Sequence, residues 1–462
     1  MIIRLFVFLF LSLTTFKIVS IFLTNFNMFG DEAQYWLWSK SFDFGYYSKP
    51  PLIAWFIALY SWFFGDEFPS LKLMPVFLYF LTGFAIYRLC LKLEFNKKEA
   101  SICCLSFLVI PAVSVSSFFI STDVILLLFW TLSMIALLKI KNDPSSINFV
   151  TCGIMVGLAF LSKYAAIYFF LSLSFLCFFD KDYRRLFAQN IFKSALLIFT
   201  IFIIVLPNII WNYNNNWLTL QHTSANADLK NFNPSFFRGI GFLFTQVFML
   251  GIFVFLGAAK SIKRIKTDSQ NVFLLCFSLP IILVVFVESI AVKANANWAA
   301  VGLVGLFVFL VRSIFINFKL YTFLNFVFSL SFAAVFYFCI AVSYDHKVFD
   351  RISGIELFSK EIKNIIGKNR SVVVSDRLLY SNLAYELRGE DINFFMPYDP
   401  KKNITKHFQI SSPLKKNVIK NFIFIGQPSE LSYLEHVHTI KSIKEFRVRF
   451  SSLPIKVYEV SF

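Results

Sequence analysis

Two adjacent carboxylates, Asp31 and Glu32, stand directly after the first long apolar run and open the stretch Asp31-Glu32-Ala33-Gln34-Tyr35-Trp36-Leu37-Trp38. Acids at a water–lipid boundary beside an aromatic amphipathic helix admit two readings. A partly buried carboxylate can act as general base on a hydroxyl. An acid pair in the first turn of a helix also stabilises that helix through its dipole. Tyr46-Tyr47-Ser48-Lys49-Pro50-Pro51 comes next. The prolines impose an extended entry, and Lys49 falls where a lipid phosphate lies, or where a lysine snorkels to headgroups.

Asp123 follows Ser121-Thr122 at the start of an apolar run, a position that suits a site acid or an N-cap equally. Lys163 sits in Ser162-Lys163-Tyr164 between two short apolar runs. There it either neutralises a phosphate leaving group or snorkels. The polar, aromatic loop from Trp211 through Trp217 to His222, and the pair Asn297-Trp298, offer stacking and amide hydrogen bonds to a sugar. Aromatic belts at membrane interfaces have the same composition. His222 is a lone histidine, so no metal site is expected there. No Gly-rich phosphate loop, His-Glu-x-x-His motif or nucleophile elbow is present.

The elements that must position these residues follow from composition. Of 462 residues, 57% are hydrophobic and 15% charged, against about 25% charged in an average soluble chain. That excludes a water-soluble enzyme, and the apolar content excludes a disordered chain. Apolar runs long enough to cross a bilayer fall near 3–23, 69–91, 100–120, 124–141, 147–162, 164–179, 192–210, 239–259, 272–292, 299–317 and 321–343. The expected fold class is therefore a polytopic α-helical membrane protein with about eleven transmembrane helices. The stretch Leu52 to Phe64 is too short to span comfortably and suits an interfacial or re-entrant helix. Ile3 to Leu23 reads as a retained anchor, because it contains Lys17 and lacks a small-residue cleavage motif.

The net charge of +17 belongs to topology rather than to nucleic acid. With the N-terminus in the cytoplasm, the loops on that side collect Arg88, Lys92, Lys97, Lys98, Lys139, Lys141, Lys181, Arg184, Arg185, Lys260 and Lys263. The opposite loops hold only Lys40, Lys49, Lys72, Lys163, Lys230, Arg238 and Lys293. Every unusual polar residue named above then falls on the outer face, and an odd number of crossings sends the C-terminal segment outside. From about Tyr344 charges become frequent and long apolar runs stop. Residues 1–343 are thus expected to form the transmembrane domain and 344–462 a periplasmic α/β domain. In it, Arg351–Gly367 and Arg377–Leu387 read as helices, Ser371–Ser375 and Asn421–Gly426 as strands, and Pro428 as leading a short helix to about His436. Phe446–Phe450 and Ile455–Val460 read as a closing hairpin. All seven cysteines precede this domain, so no disulfide framework is expected in it.

The order of these pieces closely resembles the GT-C glycosyltransferases, above all bacterial members related to protein O-mannosyltransferases and to the aminoarabinose and galacturonic acid transferases of lipid A. The resemblance is strongest over residues 31–55. It continues in Ser121-Thr122-Asp123, in Gly157-Leu158-Ala159-Phe160-Leu161-Ser162-Lys163-Tyr164, in Leu206-Pro207-Asn208-Ile209-Ile210-Trp211-Asn212 and in Asn297-Trp298. It implies an inverting enzyme of the bacterial inner membrane, multi-pass, that takes a sugar from a polyprenyl (undecaprenyl) phosphate donor. The acceptor would be a hydroxyl or phosphate of lipid A or lipopolysaccharide, of another glycan, or of a protein, at the periplasmic face.

In that pattern Asp31, with Glu32 beside it, matches the catalytic acid, and Lys49 and Lys163 match the residues that hold the donor phosphate. Glu32 and Asp123 would orient the base or acceptor, or support a loosely bound divalent cation. Tyr47, Trp211, His222, Asn297 and Trp298 are supporting residues. Ser48 stands where some lipid A transferases carry an acid, and Lys72 where many relatives carry Arg. The competing expectation is a polytopic transporter or flippase of a lipid-linked sugar. Transporters are built from repeats with polar sites at the midplane. This chain shows no duplication, and its midplane is nearly free of ionisable residues, Lys17 and Glu288 excepted.

Overall fold

The computed structural model describes residues 2–227, 232–265, 268–317, 319–367, 371–415, 421–434, 437 and 439–461. Lys230 and His436 lie outside the described residues. Seven described helices are long and apolar enough to cross a membrane, or up to nine if each of two bent pairs is one span. The seven are Ile3–Leu23, Phe68–Lys92, Thr122–Asn142, Ile191–Asn214, Ser269–Ala291, Ala296–Ile314 and Leu320–Ala341.

The differences from the eleven expected spans have local causes. The run 239–259 breaks at Gly251, where φ is +93° and the helices Phe236–Leu250 and Ile252–Ser261 diverge by 96°. That φ favours glycine, and a Cβ there would collide with the Asn325 amide. The same amide heals the break: it donates to the Leu250 carbonyl at 3.0 Å and accepts from the Val254 N–H at 3.3 Å. The run 100–120 is interrupted at Pro111, which lacks the N–H a continuous helix needs, leaving Lys97–Val109 and Pro111–Ser116. Tyr164–Phe179 bends by 109° into Lys181–Gln189 at Asp180, whose side chain caps the second helix. Lys72, counted among outer loop residues by sequence, lies inside the helix Phe68–Lys92 and is fully buried.

The chain packs as two compact units. One comprises Met1–Ile21, Ser48–Ile53 and Lys72–Phe338; the other comprises Phe22–Tyr47, Ala54–Leu71 and Cys339–Phe462. Composition changes near Tyr344, but packing assigns the Asp31 segment to the same unit as the C-terminal residues. The reason is local. The helix Gly30–Ser39 lies on the helix Arg377–Glu386, and Gly30 lets them approach so closely that a Cβ there would stand 2.7 Å from Leu378 Cβ.

Within the second unit a five-stranded sheet is built from β1 (Ser371–Val374), β2 (Asn393–Phe395), β3 (Asn421–Ile425), β4 (Thr439–Phe446) and β5 (Ile455–Ser461), in the order β2-β1-β3-β5-β4. β1 runs parallel to β2 and β3, and β5 is antiparallel to β3 and β4. Val372 and Val374 pack with Ile423, Ile425 and the helices Ile355–Ile366 and Arg377–Glu386, while Val373 packs with Phe422, Phe424 and Val460. Both faces are covered, which is why β1 reads as consecutive valines rather than an alternation. Two expectations need correction. The hairpin's first strand is Thr439–Phe446, with 447–454 as a long connection, and the segment after Pro428 is a single 3-10 turn, Pro428–Leu431. The three-residue β2 was too short to show a period.

Candidate functional site

The acid pair divides its labour. Phe29 is extended and the helix begins at Gly30. Glu32 is buried, and its carboxylate accepts the Phe29 N–H at 2.8 Å, closing the helix's first turn. Asp31 is left half-exposed on the surface of that turn. Arg377 Nη1 donates to Asp31 Oδ1 at 2.9 Å and to Gln34 Oε1 at 2.5 Å. Arg377 is itself placed by a helix start, because Asp376 caps the N–H groups of Leu378 and Leu379 at 3.0 and 2.8 Å. Among the described residues Oδ2 of Asp31 takes no hydrogen bond, so one oxygen is anchored and the other is open.

Below Asp31 the packing is aromatic. Tyr46 stacks on Trp38 with centroids 4.7 Å apart and donates to the Trp38 and Ser41 carbonyls. His407 sets its edge against both rings; burial pushes its pKa down to about 3, so it is a neutral packing residue. Burial raises the Tyr47 hydroxyl above its ordinary range, against the pull of the Arg377 charge, and Tyr47 stays a neutral donor at physiological pH. Lys40 and Trp36 both converge on Asp66 Oδ2, at 2.5 and 3.1 Å. Burial alone would raise Asp66, but these hydrogen bonds and the Lys40 charge outweigh it and leave it lowered.

The other unit holds a second constellation. Lys163, extended between the helix Ser146–Ser162 and the 3-10 turn Tyr164–Ile167, donates to Asp123 Oδ1 at 2.7 Å. Asn297 donates to the other oxygen of Asp123 at 2.8 Å. Asp123 is therefore not the N-cap; Ser121 holds that position, and the Asp123 side chain faces Lys163 and Asn297. The turn Ala296–Ala299 that carries Asn297 is pinned by Gln246, which donates to the Ala296 carbonyl at 3.1 Å, and by Trp298 packed against Phe242 and Val285. Asp123, Asn295 and Asn297 line a cavity of about 530 Å³ whose remaining wall is mainly apolar, including Phe107, Leu127, Phe248 and Phe332. Phe119 lines it too, and the Lys72 ammonium stands 4.3 Å from the Phe118 ring and 5.2 Å from that of Phe119. A cation over aromatic faces within an apolar wall is a stable way to bury a lysine.

The remaining expected residues lie as follows. Lys49 is half-buried just before the helix Leu52–Phe64 and belongs to the unit of Asp123 and Lys163. The segment from Trp211 to His222 is not a loop. Trp211 is buried near the end of Ile191–Asn214, and His222 lies on a new helix, Leu218–Ala227. Between them the chain reverses through Asn216 and Trp217, both at positive φ. His222 meets Asn226 at 3.1 Å. Next to Lys163, Tyr164 donates to Asn208 at 2.9 Å and accepts from Asn212 at 3.1 Å. Glu32 and Asp123 belong to different units, and each already has partners. Among the described residues no group of three His, Cys, Asp or Glu side chains could hold a metal ion. Sequence reading missed Arg377, which is 346 positions from Asp31; the available signal was Ser-Asp-Arg at the exit of β1.

Residues 48–211 match the family described as dolichyl-phosphate-mannose-protein mannosyltransferase. The chain is 28% identical over 298 residues to the lipid A galacturonosyltransferase RgtD of Rhizobium johnstonii, a match covering 64% of this chain and 62% of RgtD. The chain thus spans less than two thirds of that relative's length. Its fold is similar to ArnT from Cupriavidus metallidurans in the apo state, with a TM-score of 0.66 at 14% identity over 98% of this chain and 97% of that one. It is similar also to ArnT bound to undecaprenyl phosphate, with a TM-score of 0.63 at 14% identity over the same shares. The fold class read from sequence stands: the chain is a multi-pass helical membrane protein with a small C-terminal sheet, similar in fold to these ArnT structures.

Proposed function

We infer that this protein is an inverting glycosyltransferase, moving a sugar from a polyprenyl phosphate, of the undecaprenyl type, to a hydroxyl or phosphate of an envelope acceptor. The acceptor class favoured by the RgtD relative is lipid A. The reaction takes place on the periplasmic side of a bacterial inner membrane, with residues 344–462 on that side. Three facts support the reading: the family match spans Lys49, Asp123 and Lys163, the RgtD relative is a lipid A transferase by name, and an ArnT of the same fold binds undecaprenyl phosphate.

The observation that carries it is the arrangement at Asp31. Glu32 is engaged in capping, while Asp31 is oriented through one oxygen and open at the other. Asp31 takes the proton of the acceptor hydroxyl as its oxygen attacks the anomeric carbon. The bond from that carbon to the lipid phosphate breaks, and the phosphate leaves with the electron pair. Lys49 and Lys163 stabilise the growing phosphate charge, the kind of preorganised term that weighs most in a site sheltered from water. Asp123 and Asn297 fix the Lys163 ammonium, and the apolar cavity accepts the first prenyl units. A single displacement inverts the anomeric centre.

The test is transfer of radiolabelled sugar from undecaprenyl phosphate to lipid A by the purified protein in detergent. Asp31→Asn is expected to slow transfer about 100–10,000-fold with abundance unchanged; normal turnover in that variant removes Asp31 from the mechanism. Movement of the intact lipid-linked sugar across vesicles without transfer would establish the transporter reading instead.

A further inference from the structure

β1 has parallel neighbours on both sides, β2 and β3. The chain leaves β1 toward β2 through the helix Arg377–Glu386, and β3 lies on the opposite side. The segments leaving β1 and β3 therefore diverge, and in α/β sheets ligands bind in the crevice outside the carboxyl ends of strands at such a switch point. A cavity of about 950 Å³ lies there, lined by Ser375 and Asp376 after β1 and by Gly426 and Gln427 after β3, within the range of small-molecule sites. Gly426 is held at its edge by close packing, since a Cβ there would collide with Ser375 Oγ and the Phe424 ring.

Two features of the wall point to a ligand. Asn382 lines the cavity, is 5% exposed, and its Oδ1 has no hydrogen-bond partner among the described residues. A buried acceptor left unsatisfied is costly, and a donated hydroxyl would recover that cost. Arg351 also lines the cavity, with its guanidinium 5.0 Å from the Phe29 ring centroid, and makes no ion pair among the described residues. Phe29 and Gly30 line the same cavity, and Asp31 is the next residue.

We propose that this crevice is the acceptor subsite and takes a saccharide headgroup carrying an anionic substituent. Asn382 Oδ1 accepts a sugar hydroxyl, the Phe29 edge of the wall packs on the ring, and Arg351 pairs with the anionic group. The acceptor hydroxyl to be glycosylated then reaches Asp31 from the neighbouring turn. This rests on the transfer reading above and gives the C-terminal sheet its role in it.

The full-length protein in detergent is titrated with N-acetylglucosamine 6-phosphate, followed by saturation-transfer NMR, with N-acetylglucosamine and inorganic phosphate as comparators. The sugar phosphate is expected to bind at least tenfold more tightly than either comparator. Asn382→Leu and the exposed-site variant Arg351→Gln are each expected to weaken it at least tenfold. In the transfer assay both should raise the acceptor KM and leave the donor KM within twofold. Inorganic phosphate binding as tightly as the sugar phosphate, or Arg351→Gln leaving both binding and acceptor KM unchanged, overturns the proposal. If the wild type transfers no sugar yet the variants lose binding, the crevice stands and the transfer reading fails. If the wild type transfers and the variants keep the acceptor KM, the crevice fails and the transfer reading stands.

Discussion

Replacing Arg377 with alanine separates a positioning role from a merely structural one. The Asp31–Arg377 contact is 2.9 Å, with side chains 36% and 31% exposed. Two unit charges about 4 Å apart interact by about 4 kcal/mol at an effective dielectric near 20, and by about 1 kcal/mol in water. At this exposure the net contribution to folding belongs at the lower end, about 0.5–1 kcal/mol, so Arg377→Ala should barely move the melting temperature. Its effect on rate is larger, because Oδ1 of Asp31 loses its anchor and Gln34 no longer shares it. Misplacement of a reacting group by about 1 Å costs about 100-fold, and kcat should fall about 10–100-fold with the donor KM unchanged. Arg377→Lys keeps the charge without the planar fork and should recover part of the loss. In a cycle with Asp31→Asn, which is expected to lose about 100–10,000-fold, the double variant should be no slower than Asp31→Asn alone, since the pair acts as one unit. Initial rates with radiolabelled donor and a thermal melt of each variant suffice. A kcat within twofold of wild type in Arg377→Ala would refute the reasoning, and so would a drop matched by an equal loss of folded protein.

Three further outcomes follow from the same geometry. Lys163→Met should raise the donor KM at least tenfold and destabilise the protein by about 2–3 kcal/mol, because it strands Asp123 in a mostly buried site; Lys163→Met with Asp123→Asn should melt higher than the single variant, and equal melting temperatures would contradict the pairing. Gly30→Ala should lower both kcat and stability, the latter by about 1–3 kcal/mol, since the new methyl meets Leu378 Cβ and pushes the Asp31 turn off its helix; unchanged kinetics would show that the approach is not needed. Burial, reinforced by Glu356, raises Glu386 from 4.5 to about 7. The native state then holds a proton that the unfolded state has released, so stability falls as pH rises from about 4.5 through about 7, by at most about 3 kcal/mol and, with partial solvent access, about 1–2 kcal/mol. Glu386→Gln should therefore melt higher than wild type at pH 8 and close to it at pH 4.5, and a gap of the same size at both pH values would rule out this titration.

Much of this was legible because the signals are local. Mean hydropathy of +0.67 with charge confined to short segments announces a membrane chain, and the valines of β1 announce a strand covered on both faces. Lys163 at a helix junction, and Asp123 in the first turn of its helix, could be read from neighbours in sequence. What could not be read is any relation set by packing. Asp123 meets Asn297 across 174 positions and Asp31 meets Arg377 across 346, and although Asn297 stood out beside Trp298, nothing in sequence tied either partner to its acid. The break at Gly251 escaped for a related reason: hydropathy is continuous through it, and only Asn325, from another helix, supplies the amide that makes a sharp bend tolerable.

The division of the acid pair explains why a catalytic carboxylate can sit in a helix's first turn. Two acids there satisfy the same dipole, and a side chain that turned back to cap Phe29 would be lost to chemistry. Glu32, one methylene longer and in the third helical position, reaches the Phe29 N–H and is consumed by it. Asp31 is then held outward by the guanidinium of Arg377, from another helix of the same unit, rather than by its own helix. The order matters. Exchanging the pair, as Asp31→Glu with Glu32→Asp, keeps charge and dipole but shortens the capping side chain and lengthens the reacting one. If helix dipole were the whole role of these acids, the exchanged protein would behave as wild type. If the assignment is right, it should lose the cap, about 0.5–2 kcal/mol of stability, and at least tenfold in kcat, with Glu32→Ala alone, which removes the acceptor of the Phe29 N–H, showing only the first of these losses.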